Sequence, residues 1–136
     1  MKRILIDSGP MIALFDKSDK YHDLTKDFIK SNTFDLLTSL ASVTETMYML
    51  DFNKNAQMDF LEWVIRGAIQ IIDIQLEDLD RIKVLLKKYQ DLPMDFADAC
   101  LVYIGEKFNI SEIATIDRDF TVYRLHDRES FTMTLN

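Results

Sequence analysis

The chain has 136 residues, of which 48% are hydrophobic and 29% charged, and its net charge is −7. This length predicts one domain over residues 1–136, and the negative charge argues against tight non-specific binding of nucleic acid, which needs many Lys and Arg contacts. The single cysteine excludes an internal disulfide, and one cysteine with two histidines disfavours a zinc site.

A buried strand followed by an acidic residue opens the chain. The apolar run Ile4–Ile6 is typical of a parallel strand that is buried on both faces. Asp7 then lies at the carboxyl end of the strand, the edge where open α/β sheets bind ligands. Pro10 is predicted to open the following helix at its first position. On this segment alone, Asp7 is equally consistent with a cap of that helix.

A second acidic residue lies on the helix predicted from Ser39 to about Asp51. Glu45 shares a stripe with Ala41, Tyr48 and Phe52. A lone carboxylate on an apolar stripe is costly unless it is paired or binds a metal, which favours a functional role. The alternative is a surface glutamate on a loosely packed face.

Strands and helices alternate along the rest of the chain. Hydrophobic periodicity predicts helices over residues 22–31, 56–67 and 76–89, and strands over 34–38, 69–74, 113–116 and 131–135. This order predicts an α/β fold with a mostly parallel sheet. The lack of an apolar run near 20 residues and of a signal peptide predicts a cytoplasmic protein.

The stretch from residue 93 to residue 117 carries most of the candidate chemistry. Asp95 and Asp98 stand at the start of a predicted helix, and Asp117 ends the strand that follows it. Asp95 as an N-cap and Asp98 as a first-turn acid would serve the helix alone. The acids meet Asp7 at one edge if the first and fourth strands are neighbours, which right-handed crossovers permit.

Carboxylates without a His or Cys cluster suit a hard cation. Mg²⁺ and Mn²⁺ prefer oxygen ligands, and such an ion could activate water for phosphodiester cleavage. We therefore expect Asp7, Asp98 and Asp117 to hold Mg²⁺ or Mn²⁺. The glycine-rich loops that bind nucleoside triphosphates or dinucleotides are missing from the sequence.

Three segments together resemble the PIN domains, among them the toxin ribonucleases called VapC. They are LIDSGPMIALFD at the start, PMDFADACLV in the middle and ATIDRDFTVYR near the end, with Glu45 between the first two. The resemblance runs over nearly the whole chain and is specific through the order and spacing of the segments. It implies a three-layer α/β/α sandwich and a Mg²⁺- or Mn²⁺-dependent endoribonuclease.

The resemblance also assigns roles to individual residues. It implies a catalytic quartet of Asp7, Glu45, Asp98 and Asp117. Supporting positions around the quartet are Asp95, Asp119, Ser8 and Thr115. It further suggests a homodimer and, for a toxin, an antitoxin partner. For contacts to the RNA substrate, the basic candidates are Arg118 and Arg124.

Three functions fit this sequence. The first is a toxin ribonuclease restrained by an antitoxin. The second is a PIN-fold nuclease of ordinary RNA processing, without an antitoxin. The third is a non-catalytic binding module, which the complete acidic quartet disfavours.

Overall fold

The computed structural model describes residues 1–31 and 33–135, and its core is a five-stranded sheet. The strands of this sheet are β1 (Arg3–Ile6), β2 (Asp35–Ser39), β3 (Ile69–Ile72), β4 (Glu112–Ala114) and β7 (Thr132–Met133). The helices are α1 (Ser8–Phe15), α2 (His22–Ser31), α3 (Leu40–Met49), α4 (Lys54–Ile65), α5 (Leu79–Lys88) and α6 (Phe96–Phe108). Short 3-10 turns cover Leu76–Asp78 and Arg118–Thr121.

The five strands lie in the order β3-β2-β1-β4-β7, and every pairing is parallel. Side chains of β1 alternate between the two faces: Leu5 packs with α5 and α6, whereas Ile4 and Ile6 pack with α1, α3 and α4. Helices therefore cover both faces of the sheet, which confirms the predicted three-layer α/β/α fold. None of the described helices is long and apolar enough to cross a bilayer.

The neighbouring strands β1 and β4 set the position of the candidate site. Leu5 pairs with Ile113 and Ile6 with Ala114, so both strands end at the same edge of the sheet. This pairing meets the condition under which the sequence brings the acids together, namely that the first and fourth strands are neighbours. Residues that follow these two strands must therefore lie close to one another.

Several local predictions need correction. α1 begins at Ser8, so Pro10 is its third residue and not its first. Proline is still tolerated there, because the first four N–H groups of a helix have no partner within it. In α2, the apolar spacing of Leu24, Phe28 and Ile29 predicts that Leu24 faces inward, but Leu24 is exposed and Thr25 is buried instead. β4 ends at Ala114, two residues before the predicted end.

The sequence patterns did not predict the small antiparallel hairpin of β5 (Arg124–Leu125) and β6 (Glu129–Ser130). His126 and Asp127 form its turn with φ angles of 51° and 63°. Two-residue turns of this kind usually contain Asn and Gly, because other residues are strained at positive φ. A His-Asp turn lacks that sequence indication.

Candidate active site

Three aspartates from distant parts of the chain meet at the carboxyl edge of the sheet. Asp7 follows β1, Asp117 follows β4, and Asp98 lies in the first turn of α6. One carboxylate oxygen of each lies within 4.8 Å of the other two. We call Asp7, Asp98 and Asp117 the acidic cluster. These are the three residues that the sequence proposed as metal ligands.

Asp7 caps a helix and also belongs to the acidic cluster. Its Oδ1 accepts a hydrogen bond from the backbone N–H of Ser8 at 2.8 Å. Its Oδ2 accepts one from the Thr115 hydroxyl at 2.9 Å, and the Thr115 oxygen in turn accepts from the backbone N–H of Asp117 at 2.9 Å. The buried Thr115 therefore fixes Asp7 relative to the loop that carries Asp117.

Asp98 likewise combines a helix-start role with a place in the cluster. The backbone N–H of Asp98 donates to Asp95 Oδ1 at 2.8 Å, and the backbone N–H of Asp95 donates to Asp98 Oδ2 at 3.3 Å. This reciprocal pair is a capping box, which holds the Asp98 side chain in one orientation. The capping hypothesis and the site hypothesis are thus compatible for both residues.

The remaining supporting acid, Asp119, lies beside Asp117. Its backbone N–H donates to Asp117 Oδ1 at 2.9 Å, so Asp117 caps the 3-10 turn that follows. Partial burial, followed by the charge of Asp117, raises the pKa of Asp119.

Glu45 reaches the site from α3 without joining the three aspartates. The hydroxyl of Ser8 donates to Glu45 Oε1, which ties the first turn of α1 to the middle of α3. Glu45 is half-buried and stands at the wall of a groove beside the cluster. The structure therefore places all four quartet residues at one end of the sheet, with Glu45 on the side of the groove.

Burial and repulsion by neighbouring acids make Asp7 and Asp98 reluctant to ionise. Burial, only partly opposed by the hydrogen bonds from Thr115 and Ser8, raises the pKa of Asp7 to about 6. Burial and the charges of Asp7 and Asp95 raise the pKa of Asp98 to about 8. Every ion pair found among the described residues lies elsewhere in the molecule.

This donor set suits a hard divalent cation. Buried carboxylates without a counter-charge are costly, and a bound cation removes that cost. Oxygen ligands at this spacing match the preferences of Mg²⁺ and Mn²⁺. Asp7, Asp98 and Asp117 therefore fit the divalent cation, Mg²⁺ or Mn²⁺, that the sequence implies.

The groove beside the cluster has a volume of about 1040 Å³. It runs between α3, the segment 73–79 and the start of α6. Exposed apolar side chains line it: Leu40, Tyr48, Leu76, Leu79 and Phe96. Acidic side chains are spread along it: Glu45, Asp73 and Asp95. Three residues of the stripe that the sequence predicted, Ala41, Glu45 and Tyr48, thus line an open groove.

The two arginines proposed for RNA contact differ in their surroundings. Arg118 is exposed next to Asp117. The Nη1 of Arg124 instead donates to the backbone carbonyls of Thr121, Val122 and Tyr123 at 2.8–3.0 Å. Arg124 therefore braces the chain after the 3-10 turn, and this contact occupies part of its guanidinium.

Sequence reasoning missed one residue of this region, Tyr123. Its side chain is fully buried, and the acids around the cluster influence its hydroxyl. An isolated tyrosine in the segment after Asp117 carries no pattern that separates it from an ordinary core residue.

Similarity to known proteins identifies the family of this chain. A family model described as the PIN domain matches residues 4–124. The chain belongs to the PIN domain family. Ribonuclease VapC26 of Mycobacterium tuberculosis is 25% identical to this PIN domain over 117 residues, which cover 85% of this chain and 87% of the relative.

Two solved structures share the fold of this PIN domain. Mycobacterium tuberculosis VapC20, a toxin that cleaves the Sarcin-Ricin loop, superposes with a TM-score of 0.80 at 19% identity and covers 88% of this chain and 93% of its own. A toxin–antitoxin complex from Klebsiella pneumoniae matches with a TM-score of 0.62 at 21% identity, with coverage of 86% and 89%. At these identities the likeness supports the fold.

Proposed function

We propose that this PIN domain is a metal-dependent endoribonuclease and the toxin of a toxin–antitoxin pair. The observation that carries the proposal is the acidic cluster, in which the carboxylates of the buried Asp7 and Asp98 and of the half-buried Asp117 each place one oxygen within 4.8 Å of the others. The similarity to Ribonuclease VapC26 over most of both chains supports RNA as the substrate. Packing of the described elements around one main sheet supports a single domain over residues 1–136.

The cofactor in this proposal is Mg²⁺ or Mn²⁺, held by Asp7, Asp98 and Asp117. When bound, a divalent ion supplies a water of lowered pKa and stabilises negative charge on the phosphate. Thr115 and the capping box with Asp95 hold two of the ligands in fixed orientations. Such outer partners keep metal ligands aligned.

Glu45 has a different role from the three ligands. Its carboxylate accepts a hydrogen bond from Ser8 at the wall of the groove. From there it can orient a water or accept a proton on the substrate side of the cluster. Arg118 is exposed beside Asp117 and remains the basic side chain that we propose for contact with RNA phosphate.

The test is cleavage of a defined RNA pool by purified protein with Mn²⁺, with Mg²⁺ and with a chelator. We expect cleavage only with metal, at a small number of mapped positions. Asp7→Asn protein, purified in the same way, controls for contaminating nucleases. Equal cleavage by the parent and the Asp7→Asn protein, or cleavage in the chelator, would contradict the proposal.

We propose that the antitoxin inserts a segment with apolar and basic side chains into the groove. The groove offers exposed Tyr48 and Leu76 for apolar contact, and Glu45 and Asp95 for a basic group. An arginine there could pair bidentately with a carboxylate and compete with the metal ion. A toxin–antitoxin complex among the structural neighbours supports such a partner.

Co-expression with the neighbouring gene tests the antitoxin. We expect the two proteins to purify together, and expression of this chain alone to arrest growth. Tyr48→Ser with Leu76→Ser should weaken the complex, whereas Ile65→Ser, equally exposed on α4 but outside the groove, should not. A chain that always purifies alone and is harmless when overexpressed would refute the toxin proposal. Sedimentation of the same preparations tests the proposed homodimer.

A further inference from the structure

The hydroxyl of Tyr123 is buried without a protein partner. Its oxygen makes no hydrogen bond to any residue that the structure describes. The ring itself is tightly held, because Tyr89 and Phe120 each pack edge-on against it with ring centroids 5.0 Å away. Buried hydroxyls almost always have a hydrogen-bond partner. A buried hydroxyl without one, beside a candidate active site, points to a bound water or ligand atom as its partner.

Two other tyrosines of the same region show the usual arrangement. The Tyr103 hydroxyl donates to Asp78, and the Tyr89 hydroxyl accepts a hydrogen bond from the backbone N–H of Arg124 at 3.0 Å. Both of these side chains are less buried than Tyr123. The most deeply buried tyrosine hydroxyl of the three is therefore the one without a partner.

The charges that act on the Tyr123 hydroxyl belong to the candidate site. Burial first, and then the negative charges of Asp98, Asp119, Asp117 and Asp95, raise the pKa of Tyr123 far above its usual range. The backbone N–H of Tyr123 also donates to the carbonyl of Asp119 at 3.3 Å, which fixes the tyrosine to the loop that carries Asp117. The tyrosine is therefore held beside the candidate site, and its hydroxyl keeps its proton.

We propose that the Tyr123 hydroxyl oxygen accepts a hydrogen bond from a water in the hydration shell of the cation held by the acidic cluster, and so acts as a positioning residue. The inference rests on the proposed function, because it needs a hydrated ion among Asp7, Asp98 and Asp117. Mg²⁺ keeps several of its waters when proteins bind it, and these waters donate hydrogen bonds because their oxygens face the ion. An acceptor fixed by ring packing orients such a water without a large loss of side-chain freedom.

The first test measures Mn²⁺ binding by calorimetry for the parent and for Tyr123→Phe, which removes only the hydroxyl. We expect roughly tenfold weaker binding in the variant, since loss of a partner in the outer shell typically lowers metal affinity 10–100-fold. Without metal, the melting temperature of the variant should equal or exceed that of the parent, because a buried polar group without a partner is lost.

Tyr89→Phe is the matched control. It removes a hydroxyl from the neighbouring ring, but that hydroxyl holds the backbone of Arg124 and not the acids. We expect a lower melting temperature and an Mn²⁺ affinity close to that of the parent. A purely structural role for Tyr123 would give the same pattern in both variants.

A second measurement uses the parent protein and needs no substitution. In protein carrying ¹³C at the ζ carbon of tyrosine, Mg²⁺ should shift the Tyr123 resonance and leave that of Tyr103 nearly unchanged, because the Tyr103 hydroxyl is already bonded to Asp78. An unmoved Tyr123 resonance at saturating Mg²⁺ would overturn the inference.

The outcomes separate this inference from the proposed function. If the parent binds Mn²⁺ and the Mn²⁺ affinity of Tyr123→Phe differs from that of the parent by less than about threefold, the inference is overturned and the proposed metal site stands. If the parent binds no metal near neutral pH, even with RNA present, the metal site and the inference both fall.

Discussion

Two groups of charged side chains in this molecule are built in opposite ways. One is the acidic cluster of Asp7, Asp98 and Asp117. The other, which we call the paired cluster, consists of Arg81, Lys88, Glu106 and Asp127. In the paired cluster, Arg81 Nε and Nη2 donate to the two oxygens of Glu106 at 2.9 and 2.7 Å, and Lys88 Nζ lies 2.8 Å from Asp127 Oδ1.

Carboxyl pKa values in the two clusters shift in opposite directions. The hydrogen bond from Lys88 lowers the pKa of Asp127. Burial raises the pKa of Asp7 to about 6 and, together with neighbouring acids, that of Asp98 to about 8. The paired cluster joins α5, α6 and the β5–β6 hairpin and thus serves the fold. The acidic cluster costs stability without a cation, which is typical of a binding site.

Replacement of Asp98 gives the largest expected effect. Asp98→Asn should lower metal-dependent RNA cleavage at least about 100-fold, because even outer partners of metal ligands cost 10–100-fold. Without metal, the variant should be as stable as the parent or slightly more so, since Asn also suits a helix start and cannot acquire the charge that the neighbouring acids repel. Cleavage assays and thermal melts on the same samples check both expectations.

Asp23→Asn is the control for this comparison. Asp23 is also a first-turn acid, on α2, but it is exposed and lies outside the cluster. We expect parental cleavage from it. Full activity in Asp98→Asn would show that Asp98 serves only the start of α6, and it would contradict the proposed metal site.

Breaking the paired cluster should act on stability and not on metal binding. Arg81→Leu leaves the carboxylate of Glu106, only 8% exposed, without its partner. We expect the free energy of unfolding to fall by about 2 kcal/mol, below the 3–5 kcal/mol of a fully buried pair because Arg81 is partly exposed. Urea unfolding measures the loss.

Arg66→Leu provides the contrast. Arg66 pairs with Glu62 on α4 with side chains that are 78% and 54% exposed. Such surface pairs contribute about 0–1 kcal/mol, so this variant should remain close to the parent. Equal losses of unfolding free energy in the two variants would show that the Arg81–Glu106 pair stabilises the fold no more than a surface pair does.

The two clusters also predict opposite responses to pH. The folded-state pKa values of Asp7 and Asp98 lie above the unfolded value, so the metal-free native state binds more protons than the unfolded chain between about pH 4 and pH 8. Their contribution to stability therefore falls as pH rises through this window. Asp127, with a lowered pKa, contributes stability that is lost only as pH falls through its folded-state pKa.

Melts of the metal-free protein from pH 5 to pH 8 check this prediction, and Asp98→Asn should flatten the upper part of the profile. Saturating Mn²⁺ should reverse the slope, because the metal binds the deprotonated carboxylates. A metal-free protein that gains stability from pH 5 to pH 8 would contradict the proposed cost of the acidic cluster.

The smallest effect concerns the turn beside the paired cluster. His126 has a φ of 51°, and its backbone N–H donates to Glu106 Oε2 at 2.9 Å. His126→Asn keeps that hydrogen bond and suits positive φ better, so we expect stabilisation by about 0.5 kcal/mol. Denaturant unfolding should resolve the shift. Asp127→Gly relieves the same kind of strain but loses the ion pairs, and it should therefore not stabilise.

The sequence by itself determined the elements and most of the site. The apolar run before Asp7, the helix start at Asp95 and the alternation of strands and helices each depend on neighbours close in the chain, so local patterns revealed them. The right-handed crossover rule then made β1 and β4 plausible neighbours, and their pairing is observed. The helix-start alternatives were also sound, since Asp7 caps α1 and Asp98 is a first-turn acid of α6 in a capping box with the N-cap Asp95.

Tertiary structure alone decided how these residues interact. The bond from Thr115 to Asp7 joins positions 108 residues apart, and the burial that raises the pKa of Asp7 and Asp98 depends on packing around the whole edge. The apolar stripe around Tyr48 faces an open groove because its helix packs on the sheet through another face. The buried hydroxyl of Tyr123 depends on the same long-range packing, which no local pattern encodes, because hydrophobic periodicity shows that a face is apolar but not what covers it.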